Sequence, residues 1–141
     1  MVDLWQEKGM ERPFRIEELD HVVLRCRDQE RALGFYTGLL GCTEERRIEA
    51  IGLIQLRAGQ SLIDLHPAVE PAPPSEPNVD HFCLGIEAAD MAAVVRYLDE
   101  HGVEVVGEPT VRYGARGMGL SIYVRDPEGN VVELKQKPGS G

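Results

Sequence analysis

The sequence predicts an α+β fold of two βαβββ modules, set side by side as one curved, mostly antiparallel sheet around a concave face. Three observations carry this. The segment Leu19-Asp20-His21-Val22-Val23-Leu24 is answered sixty residues later by Val79-Asp80-His81-Phe82-Cys83-Leu84. Each copy is followed by apolar residues at helical spacing, then by short alternating runs. Between the copies, residues 67–78 hold five prolines, which excludes helix and central strand and reads as a semi-stiff connector. One such module cannot cover both faces of its own sheet, so two are needed.

The elements follow in order. Residues 1–18 read as a polar extension with Trp5 as its one large apolar anchor, and 19–66 as the first module. His21 to Leu24 is a strand, rich in β-branched residues. Asp28 caps a helix over Gln29 to Leu40, and Gly41 stops it. Strands follow at 46–50, 53–57 and 61–66. The second module spans 79–136, before a tail at 137–141. Its first strand is Asp80 to Leu84, and its helix runs from Asp90 to His101 with Met91, Val94, Val95 and Leu98 on one stripe. Strands at 103–106, 120–125 and 130–135 complete it, and Asp126-Pro127-Glu128-Gly129-Asn130 turns the last two into a hairpin. The glycine-rich stretch Tyr113 to Gly119 reads as a lid over the concavity.

Composition narrows the partners. The 141 residues carry a formal net charge of −9 and no segregated basic patch, which argues against nucleic acid. No apolar run approaches the roughly 20 residues of a membrane span. The acidic first residues lack the apolar core of a secretory signal, so a cytoplasmic setting is expected. Cys26, Cys42 and Cys83 have neither the number nor the spacing of a disulfide framework or a zinc-thiolate site.

Alternation assigns faces. His21, Val23 and Arg25 share one face of their strand; Leu62, Asp64 and His66 share one; His81 and Cys83 share one; Val131, Glu133 and Lys135 share one. The opposite faces are apolar and can pack on helices. His21, Asp64, His81 and Glu133 thereby point toward the concavity, with His66 beside Asp64. Two imidazoles and two carboxylates suit a divalent cation, and two ionised carboxylates match its charge. Without a metal or other partner, burying both acids is costly. His101, at a helix end, reads as a surface residue. Arg25, Gln55, Arg57, Tyr123 and Arg125 are further polar candidates for anchoring an anionic substrate tail.

These segments also carry a family resemblance. Besides the two hexamers, it lies in Arg31-Ala-Leu-Gly-Phe-Tyr-Thr-Gly-Leu-Leu-Gly41, Ser61-Leu-Ile-Asp-Leu-His-Pro67 and Tyr123-Val-Arg-Asp-Pro-Glu-Gly-Asn-Val-Val-Glu-Leu134. Over residues 19–136 the chain resembles the vicinal oxygen chelate superfamily. That superfamily includes glyoxalase I, methylmalonyl-CoA epimerase, fosfomycin-resistance proteins, extradiol dioxygenases and bleomycin-binding proteins. The resemblance implies a glyoxalase-like fold, commonly dimeric, around a divalent metal (Zn, Ni, Co, Mn or Fe). It implies His21, Asp64, His81 and Glu133 as ligands. Asp64 stands where the family usually carries Glu or Gln; one methylene shorter, it reaches a metal through water or yields its place to His66.

The implied activity is a lyase or isomerase reaction on a small molecule with vicinal oxygens. The metal stabilises an enediolate or enolate, with Glu133, or else Asp64, as the base. Two alternatives remain at this point: an Fe(II) extradiol-type dioxygenase using His21, His81 and Glu133, and a non-catalytic drug-binding protein like the bleomycin-resistance members. Homodimer formation, with modules paired within one chain or exchanged between two, is also implied.

Overall fold

A computed structural model of the chain describes residue 13, residues 18–68, residue 79 and residues 81–138. Trp5, Asp80, most of the proline-rich connector and the last three residues lie outside the described residues.

The order of elements is β1 (His21–Cys26), α1 (Gln29–Leu33), β2 (Thr43–Ile48), β3 (Leu53–Ala58), β4 (Ser61–Pro67), β5 (Phe82–Ile86), α2 (Met91–Glu100), β6 (Val105–Gly114), β7 (Gly117–Arg125) and β8 (Val131–Gln136). The strands make two four-stranded mixed sheets, ordered β1-β4-β3-β2 and β5-β8-β7-β6. In each, the first strand pairs in parallel with the last, and the other neighbours are antiparallel. The α+β architecture of two βαβββ modules is therefore as expected. The sheets are two ladders rather than one, with β1 and β5 as edge strands.

Local chemistry sets the helices. The Asp28 carboxylate accepts from the Arg31 amide at 3.0 Å, and the Asp90 carboxylate from the Ala92 amide at 3.0 Å. The first helix is expected to be α-helical to Leu40 but widens after Leu33 into a π-turn over Gly34–Leu39. The Leu40 amide donates to the Phe35 carbonyl, five residues back. The Thr37 hydroxyl donates to the Leu33 carbonyl at 2.6 Å, and two glycines in the turn lower the cost of leaving α geometry. The wider turn buries two consecutive aromatic residues, Phe35 and Tyr36, with rings edge-to-face at 5.1 Å.

The apolar faces of both sheets and both helices join one continuous core. Leu24, Leu56, Ile63 and Leu65 come from the first sheet, Ile122, Val124, Val132 and Leu134 from the second, and Ala32, Phe35, Tyr36, Met91 and Leu98 from the helices. The polar strand faces are left turned away from that core.

Hydrogen bonds among the described residues also tie the halves. The Tyr36 phenol donates to Asp126 Oδ2 at 2.6 Å, with both groups buried. The Arg27 and Asp28 amides donate to the Glu128 carboxylate at the start of α1. The Tyr97 phenol donates to the Leu39 carbonyl at 2.7 Å. Asp126 also accepts from the Glu128 amide at 2.9 Å, the Asn130 amide at 2.8 Å and the Asn130 side chain at 2.9 Å. No described helix is long and apolar enough to cross a membrane.

Burial and the Asp126 charge push the Tyr36 phenol well above its ordinary pKa, so it remains a donor across the accessible pH range. Tyr36→Phe removes a buried charge-assisted bond and is expected to cost about 1.5–3 kcal/mol in urea unfolding. A loss below about 0.5 kcal/mol, the scale of ordinary surface substitutions, contradicts the tie.

Candidate metal centre and its flanking face

The predicted site residues are gathered as two pairs. In the first sheet, β1 runs beside β4 with His21 opposite Leu62 and Val23 opposite Asp64. Asp64 is 3% exposed. Its Oδ2 accepts from the Gln55 amide at 3.1 Å, while Oδ1 is buried without a hydrogen-bond partner among the described residues. Such an atom normally carries a strong free-energy penalty. His21 lies close enough to sense the Asp64 charge. Its Nδ1 bonds to Asp20 Oδ1 at 2.8 Å, which orients the ring and leaves Nε2 directed away from Asp20. That bond, supplemented by the Asp64 charge, raises the His21 pKa.

In the second sheet, Cys83 on β5 pairs with Glu133 on β8, and Tyr123 on β7 pairs with Glu133 from the other side. His81, just before β5, places Nε2 at 3.2 Å from Glu133 Oε1. The Ser121 hydroxyl donates to Glu133 Oε2 at 2.7 Å. Glu133 is buried, and the Tyr123 ring stands edge-on to His81 at 5.7 Å. Burial pushes the Cys83 thiol up to about 11 and the Cys26 thiol up to about 12, so neither is a thiolate near neutrality.

Each pair is one imidazole with one buried carboxylate, in repeat-related positions. Among the described residues, no three His, Cys, Asp or Glu side chains gather around one point. The cause lies in the fold: both apolar faces meet the shared core, so the two polar faces look outward from it. The donor set nevertheless fits a divalent cation. Asp64 Oδ1 is an acceptor that only a cation or donor can satisfy, and His21 Nε2 is oriented by a carboxylate behind it. His66 is half-buried, and its Nδ1 donates to the Pro67 carbonyl at 2.9 Å, so the orphaned oxygen favours Asp64 over His66.

The expected anionic-tail residues divide. Gln55 is committed to Asp64. Arg57 pairs with Glu45, and Arg125 faces Glu104 at 3.7 Å. Arg25 is exposed beside the first pair, and Tyr123 lines the second. The glycine-rich stretch read as a lid is a paired hairpin, with Tyr113 opposite Met118 and Gly114 opposite Gly117. Sequence reasoning missed Ser121 as the orienter of Glu133. It also gave no role to Lys135, which strand alternation had already placed on the Glu133 face.

Comparison with known proteins identifies the family. Residues 18–134 match the model of the Glyoxalase/Bleomycin resistance protein/Dioxygenase superfamily. The chain is 35% identical to the glyoxalase domain-containing protein RDO1 of Mycosarcoma maydis, over 92% of this chain and 73% of that protein. It is 31% identical to the virulence protein STM3117 of Salmonella typhimurium, over 86% of this chain and 85% of the relative. An integron cassette protein from the mobile metagenome of V. cholerae superposes with a TM-score of 0.72 at 30% identity, covering 87% of this chain and 97% of that one.

The His21 geometry sets a pH dependence. Because its folded-state pKa lies above the unfolded value, its stabilising contribution is complete below about 6.5 and fades as pH rises through the folded pKa. NMR titration is expected to place His21 above 6.5, and Asp20→Asn to bring it down; an unchanged midpoint in the variant removes the Asp20 contact from the account.

Proposed function

The chain belongs to the glyoxalase/bleomycin resistance protein/dioxygenase superfamily, and within it we propose a divalent-metal-dependent enzyme that moves a proton on a small molecule with two neighbouring oxygens. The observation that carries this is the buried Asp64 Oδ1 left without a donor beside His21. The proposed ligands are His21, Asp64, His81 and Glu133. A bound cation supplies positive charge where negative charge develops on the substrate's two oxygens.

The remaining chemistry belongs to the chain. Glu133 is the proton acceptor: Ser121 fixes one of its oxygens, and the other faces His81 and the open face. Burial of Glu133 keeps competing water from the carboxylate. The availability of Asp64 as a fourth ligand favours proton transfer over the three-ligand oxygenase arrangement, which needs open positions.

A complete site requires the two pairs to meet. In this proposal they meet between two copies of the chain, the His21–Asp64 face of one opposite the His81–Glu133 face of the other. The unpaired edges of β1 and β5 are the available borders for that association. A symmetric homodimer would then hold two equivalent sites.

Two experiments test this. Wild type should retain one tight divalent ion per chain, whereas His21→Ala and His81→Ala each lose it. After the two variants are mixed and exchanged, about a quarter of the wild-type loading should return, because one site per mixed dimer is intact. No recovery after verified exchange excludes the two-copy site. Separately, metal-loaded protein should catalyse solvent deuterium exchange at the carbon beside a carbonyl in a panel of α-hydroxycarbonyl compounds. Glu133→Gln should slow this by about 10²–10⁴-fold; unaltered exchange in the variant removes Glu133 as the base.

A further inference from the structure

We propose that Lys135, assisted by Arg112, binds an oxyanion group on the ligand, so that the substrates of this protein are anionic at the end remote from the reacting carbon. The proposal rests on the reading above only for where the vicinal oxygens lie.

Lys135 is 6% exposed, on the same face of β8 as Glu133. Two residues along a strand separate them by about 7 Å, a distance one small molecule can span. Its ammonium has three N–H donors and, among the described residues, one acceptor, the Gly117 carbonyl at 2.7 Å. Among the described residues no carboxylate pairs with it. Glu133, the acid on its own face, is taken up by Ser121 and His81. A buried ammonium with one neutral acceptor is under-compensated, and a charged oxygen is the partner that best completes it.

The surrounding backbone is cleared for this side chain. A Cβ on Gly114 would stand 3.0 Å from Lys135 Cε and 3.4 Å from Nζ, and one on Gly119 would stand 3.1 Å from Nζ and collide with the Gln136 carbonyl. The lysine therefore packs closely over two positions that carry no side chain. On its other flank, Gly85 is the β5 residue in register with Lys135, and nothing lies within 4 Å of where its Cβ would be. That leaves open floor beside the stem. Arg112 is the register partner of Gly119 and so faces the same way. It too has no carboxylate partner among the described residues. Two uncompensated cations thus flank one glycine on the surface of a chain whose formal net charge is −9.

A purely structural lysine, pinning the hairpin through Gly117, makes a different forecast. Calorimetric titrations of wild type, Lys135→Met and Lys135→Arg separate the two, each run with and without Mn²⁺. Phosphoglycolohydroxamic acid is the probe with a remote phosphate and acetohydroxamic acid the one without it; both carry the same vicinal oxygens. Lys135→Met should weaken phosphoglycolohydroxamic acid about tenfold or more, with or without metal, and leave acetohydroxamic acid within about twofold, while Lys135→Arg keeps most of the affinity for the phosphate probe. Backbone amide signals of residues 113–119 report whether the hairpin survives, and Arg112→Ala, on an exposed residue, gives a second and smaller loss without touching the hairpin bond. Equal binding of the phosphate probe by wild type and Lys135→Met overturns the proposal, as does equal loss of both probes. Metal-independent acetohydroxamic acid binding, beside a Lys135-dependent response of the phosphate probe, instead overturns the metal reading and leaves the lysine site standing. Binding of neither probe to wild type overturns both.

Discussion

The Asp126 carboxylate is the joint on which the arrangement depends. It sits in the turn between β7 and β8 and accepts four hydrogen bonds, three from its own turn and one from the Tyr36 phenol of the other half. The three local bonds fix the turn, and the turn fixes the register that places Glu133 opposite Tyr123 and Cys83. The fourth bond sets the π-turn of the first half against that hairpin. A buried carboxylate with all these donors is stable where an isolated one is not. Phe35 and Tyr36 are buried side by side in the π-turn, and the Tyr36 phenol is the donor that reaches across.

The same joint determines which way the chemistry faces. With helices and both apolar sheet faces drawn into one core, the histidine-bearing faces are excluded from the interior of a single chain. The two pairs are also electrostatically unequal. Glu133 has partners at both oxygens, whereas Asp64 has one filled and one open. The first half is therefore the side that gains most from a cation. The second half already holds its carboxylate in place through Ser121 and His81, which is why the proposal gives it the part of proton acceptor.

Much of this was legible in the letters. The sixty-residue repeat, the Asp28 cap and the alternation on β1, β4 and β8 outlined the modules and put His21, Asp64 and Glu133 on their polar strand faces, because each depends only on local geometry and burial. The sequence did not show how the faces would be disposed, since that follows from the packing of Tyr36 on Asp126 across ninety residues. Strand β6 was read too short. Gly107 and Pro109 look like a break, but β6 is an edge strand, where a bulge between Val106 and Thr110 accommodates both. The first helix was read as regular because π geometry has no spacing signature distinct from a helix with an aromatic pair.

Lys135 shows why face assignment alone is an incomplete guide to function. Alternation placed it beside Glu133, yet a lysine near a strand end ordinarily extends its ammonium into water. What keeps it in place here is the absence of side chains at Gly114 and Gly119, on two other strands, together with a carbonyl at Gly117. Glycine spacing in a hairpin usually signals turn geometry, and Gly117, at φ 101°, answers that description. Gly114 and Gly119 do not; Gly119 lies against the Gln136 carbonyl, and both leave room for the lysine stem and ammonium. The hairpin is thus shaped around a charge, and that charge lies on the face where a buried acid and an imidazole already converge.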